Sequence, residues 1–260
     1  MAERKPPIKP VGQIVRPRSW GIYGRSGSGK TTFASTFPKP ILLLDVNDQG
    51  TDSVADVKQL DVWEIEDWED FEDVLHFLLH NEGKYKTLVI DTITQMEDFC
   101  KQWVLSTKKK RPGNIGNWGA LTMREYGEVA ASMKTKITDF RNLPMEVMFI
   151  AQERTTHQEE DKAEDPDNLM IPEIGPYAMK SVASHLNASV KIIGHAFVKL
   201  RKFKQKVRNK EVDMEEPVHC LRLGANPIYI TKTRKPRGIE IPAYVENPEY
   251  KDVIEVLKGD

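Results

Sequence analysis

The amino-acid sequence predicts an α/β fold, in which a mainly parallel sheet is flanked by helices and antiparallel strands follow toward the C-terminus. Three observations predict this fold. Apolar runs typical of buried parallel strands alternate with segments of helical periodicity along most of the 260 residues. Several of these runs end in an acid or an amide, and parallel sheets bind their ligands at the carboxyl ends of the strands. From about residue 196 to 232 the pattern changes to strands in hairpins.

The first predicted unit is a strand, a loop and a helix. Residues 19–23 form the short strand, and residues 31–37 form a helix in which Phe33 and Phe37 share one face before Pro38 ends it. The loop between them has the spacing Gly-x-x-x-x-Gly-Lys-Thr, which is typical of a phosphate-binding loop. A flexible Gly/Ser loop could match by chance, but the flanking strand and helix favour nucleotide binding.

The chemistry of phosphate binding explains why each of these residue types occurs in the loop. Glycines permit backbone conformations that direct N–H groups at phosphate oxygens. Lys30 is expected to reach the β- and γ-phosphates, and the hydroxyl of Thr31 to bind Mg²⁺. The predicted nucleotide-binding residues are Gly24, Arg25, Ser26, Gly27, Ser28, Gly29, Lys30, Thr31 and Thr32.

The remaining elements follow in order. Strands are expected at 40–45, 87–91, 146–152 and 189–193, and helices from Asp67, at 95–105, 121–142 and 176–186, and after Asn247 as an N-cap. Residues 153–170 are polar and acidic, which predicts a loop. We therefore expect an extended N-terminal arm at 1–18, an ATPase core at 19–240 and a helical tail at 241–260.

Acidic residues at strand ends are candidates for metal binding and for base catalysis. Asp91 ends an apolar strand and is expected to hold Mg²⁺, although an acid also commonly terminates a parallel strand. Thr92 follows it, so the Glu that serves one large class of P-loop ATPases is absent. Asp45 or Asp48, at the end of the neighbouring strand, could activate water. A turn built from Asn, Asp and Gly is at least as compatible with this segment.

Two further features fit a nucleotide-dependent protein. Gln152 ends a strand and could report whether a triphosphate or a diphosphate is bound, or be an ordinary polar strand end. Lys232 and Arg234 alternate in an extended segment, so both point to one side. They could reach a γ-phosphate in a neighbouring subunit, or simply belong to a basic loop.

These elements, in this order, resemble the RecA-like core of P-loop ATPases, and most closely the small phage-encoded RecA-like ATPases with an AAA-type domain that act in single-strand annealing or recombination. The resemblance spans about residues 19–240. Its motifs are the Walker A loop at 24–31, a Walker B segment at 85–94, the strand with the sensing glutamine at 149–152, and the cations at 232–234.

The resemblance implies ATP and Mg²⁺ as cofactors and a homo-oligomeric ring or filament with shared sites. It also implies single-stranded DNA and a single-strand-binding protein as partners. One departure concerns hydrolysis: the family pattern Asp-x-Glu has Asn47 in place of the Glu. A neutral amide cannot accept a proton, so we expect slow turnover or a base at Asp48.

Two basic segments are candidates for contact with single-stranded DNA. One is a Lys/Arg run followed by an aromatic residue, at the position of the first DNA loop of RecA-like proteins. The other is a basic strand, which could equally be a solvated edge guarded by lysines. The candidate residues are Lys108, Lys109, Lys110, Arg111, Trp118, Lys199, Arg201 and Lys204.

Composition narrows the function further. The net charge of -1 means that any nucleic-acid site must be a local patch. The sequence has no long apolar run and no signal-peptide pattern, and its two cysteines match no metal spacing, so we expect a cytoplasmic protein, in host cytoplasm if phage-encoded. The alternatives to a recombination ATPase are a helicase-like ring motor, a nucleotide-gated scaffold with little hydrolysis, and a small-molecule kinase.

Overall fold

The structure is a computed structural model that describes residues 17–47, 50–109, 121–157, 172–207 and 210–259. Its strands are β1 Ser19–Tyr23, β2 Ile41–Asp45, β3 Leu60–Glu64, β4 Thr87–Asp91, β5 Glu146–Ala151, β6 Glu153–His157, β7 Pro172–Pro176, β8 Ile192–Val207, β9 Lys210–Arg222, β10 Lys232–Thr233 and β11 Tyr244–Glu246. Its helices are α1 Lys30–Ala34, α2 Asp70–His80, α3 Ile93–Lys109, α4 Met123–Arg141, α5 Lys180–Ser189 and α6 Tyr250–Lys258, with a 3-10 helix at Gly50–Val54.

Nine strands form the central sheet in the order β11-β9-β8-β1-β5-β4-β2-β3, and β10 pairs with the start of β8. The strands from β1 to β5 in this sheet are parallel to one another, whereas the pairs β8–β9, β9–β11 and β8–β10 are antiparallel. The predicted fold class is therefore confirmed as α/β, with a mainly parallel sheet, flanking helices and antiparallel strands toward the C-terminus. None of the described helices is long and apolar enough to cross a membrane.

The strands are buried because alternate side chains face two separate apolar layers. Leu88 and Ile90 of β4 belong to the layer under α2, α3, α4 and α5, while Val89 faces the layer that contains α1 and α6. Burying apolar side chains on both faces is what makes the parallel strands read as continuous hydrophobic runs.

The register of the sheet brings the carboxyl ends of the central strands together. Tyr23 at the end of β1 lies opposite Ala151 at the end of β5, and Asp91 at the end of β4 lies opposite Ile150. The residues that follow β1, β4 and β5 therefore meet at one edge of the sheet, which is where the phosphate-binding loop begins.

The β8–β9 hairpin extends beyond this edge. Ile192 to His195 lie beside β1 in parallel, and from His195 onward β8 pairs instead with β9 as far as Val207. The hairpin predicted between residues 196 and 232 is thus present, and its base passes next to the phosphate-binding loop.

Two local predictions were wrong, and one strand was not predicted. Residues 153–157 form β6, which pairs with β7, although a loop was predicted because the segment is polar. The edge strand β3 was not predicted, since its residues are partly or fully exposed and carry acids. The last helix is capped by Glu249, which makes a reciprocal capping box with Asp252, while Asn247 lies outside the helix at a φ of 43°.

Candidate nucleotide-binding site

The loop between β1 and α1 has the backbone conformation that a phosphate nest requires. Gly27 and Gly29 adopt positive φ angles of 76° and 87°, which side chains other than glycine rarely adopt. The Ser28 amide donates to the Arg25 carbonyl at 3.2 Å and closes the turn. A left-handed residue within such a turn directs consecutive N–H groups into one concavity.

Gly24 is required for a different reason, since β8 passes directly against the loop. A Cβ atom at Gly24 would overlap the Ala196 carbonyl oxygen and would lie 2.8 Å from Ser28 Oγ. That hydroxyl is buried and has no hydrogen-bond partner in the described part of the chain. The loop is therefore clamped between its own turn and the base of the hairpin.

Lys30 is buried and its amine lies inside the loop. Its Nζ donates to the Gly24 carbonyl at 3.0 Å and to the Arg25 carbonyl at 2.8 Å. The ammonium group is thus held at the concavity that the loop surrounds.

The residues expected to bind Mg²⁺ are brought together. Thr31 Oγ1 donates to Asp91 Oδ2 at 2.7 Å, and Asp91 is buried at the end of β4. A hydroxyl and a carboxylate are hard oxygen ligands, and Mg²⁺ typically takes one or two protein ligands and keeps several waters. The pair fits that ion, and in the described ranges no larger group of His, Cys, Asp and Glu is arranged to bind a metal.

A cleft of about 420 Å³ opens over this loop. Besides residues of the loop itself, its walls include Gln152 from the end of β5, Asp52 and Ser53 from the 3-10 helix, and His219 from β9. The sequence motif did not indicate the last three, because only the sheet topology brings them to the loop. Asp52 and Ser53 could have been suspected locally, because they are polar residues in the connection between β2 and β3.

Gln152 is positioned by its backbone. Its amide donates to Thr94 Oγ1 at 3.1 Å and its carbonyl accepts from the Tyr177 amide at 2.7 Å, and Thr94 Oγ1 also donates to the Tyr177 carbonyl at 2.8 Å. These bonds connect the end of β5 to the start of α3 and to the segment after β7. A displacement of Gln152 can therefore be transmitted to α3 and to the segment after β7.

A hydrogen-bonded network joins the loop to β6 and β8. Glu153 accepts from Arg25 Nε at 2.8 Å and from His195 Nε2 at 3.1 Å. Burial would raise the pKa of Glu153, but its hydrogen bonds to Arg25 and His195 hold that pKa below its usual value. Burial lowers the pKa of His195 despite the opposing effect of Glu153, which favours a neutral ring donating to a carboxylate.

The candidate bases are placed differently from one another. Asp45 lines a separate cavity with Glu64, Ile65 and Phe99, away from the walls of the phosphate cleft. Asp48 lies outside the described residues. Asp52, which the sequence did not single out, is exposed and lines the phosphate cleft.

Lys232 and Arg234 point to one side, as the alternation predicted, but they lie near the amino end of the parallel strands. Lys232 lies opposite Ile193, and the Arg234 amide donates to the Lys191 carbonyl. Lys232 Nζ contacts the Asn187 and Ala188 carbonyls, and Arg234 Nη2 donates to the Ala188 carbonyl at 3.0 Å. Both cations therefore cap the C-terminus of α5.

Burial and the charge of Arg234 both lower the pKa of Lys232. This pair lies away from the carboxyl edge of the sheet, where Asp91 and Gln152 are found. After the β8–β9 hairpin, β10 runs antiparallel to the start of β8, and this direction carries Lys232 and Arg234 toward the amino end of the parallel strands.

The basic strand β8 carries its charge in ion pairs. Lys199 Nζ lies 3.4 Å from Glu246 Oε1, and Arg201 contacts both Glu246 and Glu216. In the register, Lys204 is opposite Asp213. Carboxylates of β9 and β11 thus balance much of the positive charge of this strand, and phosphates would have to compete with them.

The other DNA candidates lie at or beyond the end of α3. That helix begins two residues after Asp91 and ends at Lys109. The backbones of Lys108 and Lys109 belong to its last turn, and Lys110, Arg111 and Trp118 lie outside the described residues.

Comparison with known proteins gives three findings. Residues 16–220 match the family described as AAA domain. No curated protein shows significant sequence similarity to the chain. Among solved structures, a KaiC-like protein from the hyperthermophilic archaeon Pyrococcus horikoshii is similar at a TM-score of 0.42 and 11% identity, covering 89% of each chain.

Proposed function

Because the chain belongs to the AAA domain family of P-loop ATPases, we propose that it binds ATP with Mg²⁺, hydrolyses it, and uses the nucleotide cycle to act on single-stranded DNA in recombination or annealing. The observation that carries the nucleotide part is the convergence of Lys30, Thr31 and Asp91 at one glycine loop, with Thr31 Oγ1 2.7 Å from Asp91 Oδ2. Triphosphate binding requires loop amides, an ammonium group and side-chain ligands for Mg²⁺, which here are Thr31 and Asp91.

The chain's residues supply positioning and charge. Lys30 exchanges the loop carbonyls for phosphate oxygens. Thr31 and Asp91 would hold Mg²⁺, which would supply positive charge beside the phosphates. The oxygen of a water attacks the γ-phosphorus, the bond to the β–γ bridging oxygen breaks, and ADP leaves with that electron pair. The proton of the attacking water passes to a carboxylate, for which Asp52 is the described candidate in the cleft and Asp48 the other.

We also propose that the site is completed by a neighbouring copy. Lys232 and Arg234 lie toward the amino end of the sheet, whereas the phosphate-binding loop leaves the carboxyl end of β1. Cations placed this way serve a second subunit's phosphates more readily than their own. This arrangement makes hydrolysis depend on assembly.

Mixing two inactive variants tests the shared site. Lys30→Ala removes the phosphate ligand, and the double variant Lys232→Ala/Arg234→Ala removes the cations. Each should be inactive alone, and the mixture should regain activity because some interfaces combine an intact loop with intact cations. A mixture no more active than its parts, with both variants folded by circular dichroism, would exclude a site shared through this pair.

Contact with DNA is supported by the path of α3. Its 17 residues begin directly after Thr92, next to Asp91, and lead to the basic run at 108–111. A helix of that length spans about 25 Å and can transmit a shift at the nucleotide to its far end. The ATPase rate should rise with single-stranded DNA, in parallel with assembly seen by light scattering; an unchanged rate would contradict the DNA role, and directional unwinding would indicate a helicase-like motor.

A second candidate function is a nucleotide-gated scaffold that hydrolyses little. Asn47, at a φ of 55°, stands where the related ATPases carry their catalytic Glu. ATP binding and ATP-dependent assembly without measurable turnover, with or without DNA, would favour this candidate over the ATPase.

A further inference from the structure

A second cavity adjoins the phosphate cleft. It has a volume of about 240 Å³ and shares Gly29, Thr32 and His219 with that cleft. His219 lies at their junction, since a Cβ atom at Gly29 would be 2.9 Å from its Nδ1. A ligand whose phosphates occupy the loop can therefore continue past His219 and Thr32 into the second cavity.

The walls of this cavity suit a flat, partly apolar group. Its apolar lining comes from Phe33 of α1, Ala196 of β8 and Leu221 of β9. Polar atoms come from Thr32 of α1 and from Thr36 in the turn that follows it. Ligand pockets are typically apolar with a few polar groups that fix orientation. A nucleobase has apolar faces and a polar edge, so it matches this distribution.

The outer wall is formed by Asn247, Pro248 and Glu249, and it is fixed in place. The Asn247 amide donates to the His219 carbonyl at 2.6 Å, and the Tyr250 amide donates to Thr36 Oγ1 at 2.9 Å. Behind this wall α6 buries two apolar side chains in the same layer as Phe33. The cavity is thus preformed by the hydrogen bonds that dock the C-terminal segment onto α1 and β9.

We propose that this second cavity, the nucleoside cavity, binds the base and ribose of the nucleoside triphosphate, so that residues 247–249 belong to the nucleotide site. This inference rests on the proposed function and adds to it. The wall lies beyond residue 220, where the family match ends, and beyond the ATPase core expected from the sequence. The segment that leads into the C-terminal helix is therefore a part of ligand recognition.

Binding of ATP and of inorganic tripolyphosphate, both with Mg²⁺, tests the proposal in the full-length chain. Ala196→Leu fills the nucleoside cavity and should weaken ATP binding about tenfold, while tripolyphosphate affinity changes less than about twofold. Glu255→Ala, on the exposed side of α6, is the matched control and should change neither affinity. Unchanged ATP affinity in folded Ala196→Leu, or an equal loss for both ligands, would overturn the proposal.

A photoprobe gives a second readout that needs no variant. 2-Azido-ATP carries its reactive group on the base, and label that ATP displaces should map to peptides containing 219–221 or 247–249. ATP-displaceable label found only elsewhere would overturn the nucleoside cavity. Failure of the proposed function looks different: the wild type would bind neither ATP nor tripolyphosphate, or Lys30→Ala would bind both normally.

Discussion

Gly29→Ala is the substitution whose cost the structure defines best. The residue has a φ of 87°, and an added Cβ would lie 2.9 Å from His219 Nδ1. The left-handed backbone costs a non-glycine residue roughly 1–2 kcal/mol, and forcing extra volume against a packed neighbour adds roughly 1–3 kcal/mol. We therefore expect a loss in the free energy of unfolding of roughly 2–5 kcal/mol.

Gly83→Ala separates these two contributions. Gly83 has a φ of 84°, and nothing lies within 4 Å of its would-be Cβ. It should lose only the backbone contribution, roughly 1–2 kcal/mol. The difference between the two variants measures the contact with His219, and Gly29→Ala combined with His219→Ala should recover part of it.

Urea denaturation of the wild type, the two single glycine variants and the double variant provides the free energies of unfolding. ATP titration provides the functional readout. Gly29→Ala should also weaken ATP binding, because the distorted residue belongs to the phosphate nest, whereas Gly83→Ala should bind ATP as the wild type does. Equal destabilisation by Gly29→Ala and Gly83→Ala, with no recovery in the double variant, would refute the close approach of β9 to the loop.

Two further predictions concern the base and the buried histidine. Asp52→Asn should lower kcat by about 10²–10⁴ with little change in ATP affinity, and Asp48→Asn is its comparison; a normal kcat in Asp52→Asn would remove it as the base. Burial lowers the pKa of His195, so the unfolded chain takes up its proton first, and stability should fall as the pH drops below about 6.5. The loss should not exceed about 1.4 kcal/mol per pH unit. His195→Gln should show a shallower loss between about pH 6.5 and 5.5, measured by denaturation, and an identical slope would contradict this assignment.

The sequence predicted the parts of the site that local chemistry dictates. The glycine loop, Asp91 and Gln152 could all be proposed from the sequence because each directly follows an apolar run typical of a buried strand. Their meeting was also predictable, since parallel strands place their carboxyl ends at one edge. The 2.7 Å contact between Thr31 and Asp91 follows from those two facts.

The parts that could not be predicted depend on contacts distant in sequence. His219 and the wall at 247–249 reach the loop only because β9 and α6 fold back over α1. Polar β6 was missed because strand patterns rely on apolar residues. The position of Lys232 depends on β10 pairing with the start of β8, which alternation of side chains cannot reveal.

Above all, we propose that the loop between β1 and α1 binds nucleoside triphosphate through Lys30. Calorimetric titration of ATP with Mg²⁺ into the wild type and into Lys30→Ala tests it most directly. We expect saturable binding by the wild type and loss of that binding in a Lys30→Ala protein that retains its circular dichroism spectrum. Equal ATP affinity in the two proteins would contradict it.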